Sequence, residues 1–175
     1  MRAGLDIGLV LQKENKMIAK LAGIGLSAVL MVGALATPTQ ARDDDTTFVS
    51  PLIGSNPNMT IGGVTSGGAA WKVRKGQATL EDNGRLEVEV LGLLLVATNT
   101  TGPVVDVAAS LVCGGSGGSV AATSTAAGLS AAGNAEIRDD LTLPATCPAP
   151  VVLIRIFNPT TLQPGAFIAL SGISG

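Results

Sequence analysis

The chain contains no histidine and no tyrosine, and its aromatic side chains are Phe48, Trp71, Phe157 and Phe167. Without histidine, the commonest general base, the commonest metal ligand and the usual switch near neutral pH are all missing. With aromatics at 2% of residues, a core must be filled by Val, Leu, Ile and Ala, which add volume in small increments. Charge is scarce too, at 14% of residues. Beyond residue 41, seven basic against eleven acidic side chains leave a net charge of −4, and only Lys72, Arg74 and Lys75 lie close together. A nucleic-acid partner needs a dense positive face, so that class is set aside. No helical periodicity follows Ala36.

Apolar residues, at 46%, are plentiful, and 23 glycines with 9 prolines punctuate them. That mixture favours short strands joined by turns over long helices. At 175 residues the length fits one folded domain.

Residues 1–41 have the make-up of an export signal. Lys13, Lys16 and Lys20 precede an uncharged run over residues 21–36, and the small residues Thr39 and Ala41 follow. The pattern places a cut before Arg42, with Ala34-Leu35-Ala36 as a second site and Met17 as an alternative start. The apolar run has sixteen residues, short of the roughly 20 that span a bilayer. Cleavage is therefore expected, leaving no stable membrane span, and the product is expected outside the cytoplasm, extracellular or in a bacterial envelope. A retained anchor is the alternative.

Export decides the fate of the two cysteines, Cys113 and Cys147. Thiols outside the cytoplasm are expected to oxidise, and two cysteines allow one intramolecular pairing. Redox-active pairs usually sit close together, as in C-x-x-C. A wide separation predicts a structural disulfide fastening two strands.

The chain reads in three parts: the leader over 1–41, a polar stretch with a weak strand over 42–68, and the main domain over 69–175. Residues 48–53 make the weak strand, interrupted by Pro51, and residues 54–68 have loop composition. Residues 71–80 and 85–90 alternate apolar with polar around Asn83-Gly84, a hairpin with a mechanism because Gly accepts positive φ. Across that hairpin, Lys72, Arg74 or Lys75 are expected to face Glu87 and Glu89. Residues 91–96 are almost wholly apolar, predicting burial on both faces or a bend into a second sheet. Further strands are expected over residues 104–113, 120–126, 135–143, 151–157 and 166–171. About seven or eight strands at such intervals predict an all-β fold, a β-sandwich of immunoglobulin-like Greek-key pattern. The likeness is of pattern alone, since no tryptophan lies between the cysteines and no tyrosine can form the usual corner.

Several motifs are refused. Gly114-Gly115-Ser116-Gly117-Gly118 matches G-x-S-x-G, yet no histidine can activate the serine and a strand, not a helix, follows. Leu143-Pro144-Ala145-Thr146-Cys147 resembles a wall-sorting signal but has Cys147 in place of glycine. Asp43-Asp44-Asp45 lacks the spacing of a calcium loop. Asn58-Met59-Thr60 and Asn99-Thr100-Thr101 match the glycan-acceptor pattern in turns. Asp106 with Glu136, Asp139 or Asp140 could form a carboxylate pair, though spacing gives it no support.

The expectation is an exported, non-catalytic protein without cofactor or metal, acting as a structural or surface-interaction module. Low charge beside apolar strands leaves sheet edges open to self-association. The alternative is a secreted binding protein for a small molecule or glycan. Its site would be Trp71 with the loops over residues 54–68 and 114–119.

Overall fold

A computed structural model of the chain describes residues 46–172, and the leader and cleavage site lie outside the described residues. The protein is all-β, with one 3₁₀ turn and no α-helix among those residues. Eight strands have five residues or more: β1 (Thr46–Gly54), β5 (Lys75–Glu81), β6 (Arg85–Leu91), β8 (Asp106–Cys113), β9 (Ser119–Thr123), β11 (Ala135–Asp140), β12 (Val151–Asn158) and β13 (Gln163–Ser171). Five two-residue strands complete the count: β2 (Thr60–Ile61), β3 (Val64–Thr65), β4 (Trp71–Lys72), β7 (Leu94–Leu95) and β10 (Ala127–Gly128).

Nine strands form one antiparallel sheet in the order β10-β8-β12-β13-β1-β5-β6-β11, with β9 beside β10 on the same edge of β8. The sheet curls around a core. Its inward face carries Leu80, Leu86, Val88 and Val90 from the β5–β6 hairpin and Ile137 from β11. Those residues meet Val107, Ala109 and Leu111 from β8, Val152 and Ile154 from β12, and Ile168 from β13. Along β6 the inward residues are buried and Arg85, Glu87 and Glu89 are exposed, the period-two pattern of a strand with one wet face.

The curl turns on β1. Its first part pairs with β5, from Thr46 opposite Glu81 to Pro51 opposite Gln77. Its last part pairs with β13, from Leu52 opposite Ser171 to Gly54 opposite Ala169. Pro51 stands where the strand changes partners, a position that asks less of the N–H it lacks. Its carbonyl accepts from the Gly172 N–H at 2.8 Å. The segment expected as a weak strand in a polar stretch is thus a nine-residue strand at the centre of the sheet.

The apolar residues on β8 and β12 are buried on both faces, and this needs a second cover. Val112, Val151, Leu153, Phe167 and Leu170 form an outer cluster with Ile61, and Met59 and Val64 pack on it. The cover is the β2–β3 hairpin, in the segment expected as loop. Gly62 and Gly63 form its turn at φ 58° and 75°, values that suit glycine at both central residues of a tight hairpin. A Cβ on Gly62 would sit 2.6 Å from Val112 Cγ1. The hairpin therefore lies as low on the sheet as glycine allows.

Beyond β6 the chain bends at Gly92, φ 68°, and β7 pairs with β4 in a separate two-stranded ladder. The apolar run over residues 91–96 is therefore divided between two ladders. Buried hydroxyls find partners. Ser50 donates to Gly172 O at 2.7 Å, Ser171 accepts from Val152 N at 2.9 Å, and Ser124 accepts from Ala109 N at 3.0 Å. Ser55 Oγ is the buried side-chain atom without a partner among the described residues.

Candidate functional site

Cys113 and Cys147 are joined, with Cα atoms 4.7 Å apart. The bridge ties the end of β8 to the loop over residues 141–150, not to a second strand, because Cys147 lies before β12 begins at Val151. Two backbone bonds run alongside it, Gly114 N to Pro148 O at 2.6 Å and Gly115 N to Ala149 O at 3.0 Å. Both half-cystines pack against the inner core.

The G-x-S-x-G stretch is the tip of the β8–β9 connection, a 3₁₀ turn over Gly115–Gly117. Gly114 and Gly115 take positive φ, and a Cβ on Gly118 would lie 1.9 Å from Cys113 O. Glycine is required here by close backbone approach, which accounts for the motif without chemistry. This tip meets the other loop of the proposed ligand site, since Gly62 N donates to Ser116 O at 3.1 Å.

Trp71 does not join them at the surface. It belongs to the inner core, 7% exposed, and its backbone N–H donates to Ser55 O at 2.8 Å. The two loops contact each other through Gly62 and Ser116, while Trp71 packs with the inner cluster beneath the loop over residues 54–68, where a Cβ on Gly67 would lie 3.6 Å from its Nε1. Little of Trp71 is open to solvent.

The expected row of basic residues facing Glu87 and Glu89 is not formed. In the β5–β6 register Gln77 opposes Glu89 and Thr79 opposes Glu87, while Lys75 opposes Leu91 and Lys72 lies in β4. The acids face β11 instead. Glu89 stands directly opposite Glu136, and Glu87 opposite Arg138. Arg138 relieves the like-charge pair, contacting Glu136 at 2.5 Å and Glu87 at 3.9 Å. These side chains and Lys75 line an open trough of about 670 Å³ on the outer face of the sheet. They are exposed, so solvent and salt screen them and the contacts are worth little each. No group of three or more His, Cys, Asp or Glu among the described residues could hold a metal ion.

The two edges of the sheet differ in chemistry. One is β11, whose six residues include Glu136, Arg138, Asp139 and Asp140. The other is β9 followed by β10, and residues 119–128 contain neither charge nor proline. The edges approach each other at a seam. There Thr125 N donates to Asp139 Oδ2 at 2.6 Å, and a cavity of about 440 Å³ opens between Ala121–Thr125 and Asp139–Thr142. The Thr125 N–H holds the Asp139 carboxyl below its ordinary pKa, against a smaller opposing effect of burial, with further help from the Thr125 side chain and the Asp140 N–H.

On its inner side β9 is firmly held. Ser110 and Thr123 hydroxyls lie 2.8 Å apart, and Arg155 reaches Ser110 Oγ at 3.4 Å from the next strand. Arg155 is itself fixed by Nε to Gly165 O and Nη2 to Pro164 O, both at 2.7 Å. The sequence held the signal for this uncharged edge in its run of Ser, Ala and Thr, but not the information that the run lies at the margin. No helix among the described residues is long and apolar enough to cross a membrane. The chain matches no protein-family model, no curated protein and no solved structure.

Proposed function

We propose that the protein is an exported, non-catalytic module with a structural or surface-interaction role in the cell envelope or extracellular space. In this reading the curled sheet works as a sandwich-like body of immunoglobulin-like pattern, delivered by the leader over residues 1–41. The observation that carries the reading is the Cys113–Cys147 bridge, because such bonds persist where the surroundings oxidise. The scarcity of charge and the uncharged β9 edge support contact with other β surfaces over solution chemistry.

The other reading, a binding protein for a small molecule or glycan, places Trp71 at its site. Trp71 is 7% exposed, which favours the first reading over this one.

The test is fractionation of cells making the full chain, with thiol alkylation before lysis. Recovery outside the cytoplasm, with both cysteines unreactive, is the expected result. A reduced, cytoplasmic protein would overturn the proposal.

A further inference from the structure

We propose that Asn83 is a site of spontaneous deamidation, to aspartate and isoaspartate, which the fold withholds until the turn between β5 and β6 opens. The inference is independent of where the protein resides, since its reactants are the turn and solvent water.

The sequence supplies the reactive pair. Of the chain's asparagines, Asn83 alone precedes glycine. Glycine has no Cβ to shield its backbone nitrogen, and its backbone turns freely enough to bring that nitrogen towards the preceding side chain. In the reaction the Gly84 nitrogen gives up its proton and bonds to Asn83 Cγ. The Cγ–Nδ2 bond breaks, and Nδ2 leaves with that proton as ammonia. Water then opens the five-membered imide at either carbonyl. One opening gives aspartate, the other isoaspartate, whose main chain runs through the former side chain.

The folded turn holds each participant away from this course. The Gly84 N–H donates to Glu81 O at 3.1 Å, an acceptor that cannot remove the proton. Asn83 Nδ2 donates to Glu81 Oε2 at 3.0 Å, and Asn83 Oδ1 accepts from the Arg85 N–H at 2.8 Å. The carboxamide is thus pinned at both ends, to the last residue of β5 and the first of β6. A donor at Oδ1 also polarises Cγ, which by itself favours attack. Closing the ring, however, requires rotation of the Asn83–Gly84 peptide, and the surroundings of Gly84 oppose it. Gly84 is buried at φ 96°, Leu141 N donates to its carbonyl at 2.8 Å, and a Cβ there would lie 2.1 Å from Leu141 O. The reaction therefore waits for Gly84 to part from Glu81 and Leu141.

The corner is shared by two ladders, with Leu80 opposite Leu86 across β5 and β6, and Asp140 opposite Arg85 across β11 and β6. Loop length sets hairpin register. Isoaspartate lengthens the main chain of a three-residue turn in which Gly84 has no spare room. The modified corner cannot restore the bonds to both Glu81 and Leu141, so a transient opening becomes permanent.

The experiment holds the full chain, folded with its disulfide intact, at mildly alkaline pH beside the same chain unfolded in guanidinium. The tryptic peptide over residues 76–85 is followed by mass and by chromatography that resolves isoaspartate. Glu81→Ala, which removes the acceptor of Nδ2, and Glu81→Gln, which keeps one, are followed in parallel. Asn83 should convert in the unfolded chain and about tenfold or more slowly in the native protein, the factor that one or two ordinary hydrogen bonds supply. Glu81→Ala should speed the native reaction about threefold or more, while Glu81→Gln stays near the native rate. In the isoaspartate form the Leu141 amide should exchange faster with solvent. A native protein that converts as fast as the unfolded chain, an unfolded chain that keeps its amide, or a Glu81→Ala rate equal to the native one overturns the proposal. So does an isoaspartate form whose Leu141 amide is as protected as before. Should Glu81→Ala fail to fold, the comparison of native with unfolded chain decides alone.

Discussion

Replacing both Cys113 and Cys147 by alanine should cost this protein about 4 kcal/mol on the chain-entropy model for a loop of 34 residues' separation. The figure refers to the unfolded chain, which regains the freedom that the bridge denied it. Alanine suits the test because both half-cystines pack on the inner core and a serine would add a buried hydroxyl. Against a typical total of about 5–15 kcal/mol, the loss is large. For a body of about 130 residues it corresponds to a fall in Tm of about 15 °C. Urea unfolding of the native, reduced and double-alanine proteins is the assay. The m-value of the double variant should also rise, because its unfolded chain is more expanded and exposes more surface. A loss below about 1 kcal/mol with unchanged m would refute the reasoning. It would mean that the backbone bonds from Gly114 and Gly115 to Pro148 and Ala149 hold that corner unaided.

Phe167→Ala should destabilise by about 3–5 kcal/mol in urea titrations, since the ring is fully buried under the β2–β3 hairpin and leaves a cavity there. Gly84→Ala should cost about 1–3 kcal/mol in the same assay. Its Cβ would lie 2.1 Å from Leu141 O, at φ 96°, and would part the Leu141 N to Gly84 O bond. Trp71 should emit as a buried indole, resist quenching by iodide and show no shift with candidate sugars; a red emission that moved with a sugar would restore the binding reading. Asp139 has a lowered pKa in the folded state, so its contribution is present above the ordinary carboxylate range and is lost as pH falls through the depressed value. Asp139→Asn should therefore flatten the acid limb of stability between about pH 5 and pH 2, measured as the urea midpoint at each pH. An unchanged acid limb would show that the seam does not depend on this carboxylate.

The elements legible in the sequence were those whose pattern is local. Leu86, Val88 and Val90 alternate with Glu87 and Glu89, and one face of β6 is buried as that alternation demands. Gly84 marks the turn, though the loop holds three residues, with Asp82 and Asn83 before it. The cysteine pairing followed from there being two. Less visible were features decided by distant partners. Pro51 reads as a strand breaker, yet β1 is central, since the proline falls where the strand passes from β5 to β13. Residues 54–68 read as loop because Ile61, Val64 and Met59 are widely spaced. Their burial depends on an outer cluster assembled from β8, β12 and β13. The clue was Gly62-Gly63 between Ile61 and Val64, a two-residue turn between apolar positions. The charge rows failed for a local reason: the three-residue turn over residues 82–84 sets Glu89 opposite Gln77 and carries Lys72 and Arg74 past the paired segment.

The position of the bridge gives it a second consequence. The loop it closes contains β9, β10 and β11, which include both edges of the sheet. It also lies one residue beyond the last β8–β12 pair, Val112 opposite Val151, with three residues connecting Cys147 to Val151. Sliding β12 by two residues would keep every side chain on its own face, so hydrophobic burial alone discriminates weakly against that slip. It would also move the start of β12 by about 7 Å along β8, pulling the three-residue tether towards its full reach of about 14 Å and parting the Gly114–Pro148 and Gly115–Ala149 bonds. The bond therefore disfavours a slip that the apolar pattern leaves open, in a chain whose strands are rich in interchangeable Val, Ile, Leu and Ala. The stability lost with the cysteines should accordingly come with heterogeneous β8–β12 pairing, visible as doubled amide signals for Val151–Asn158 in the double-alanine protein.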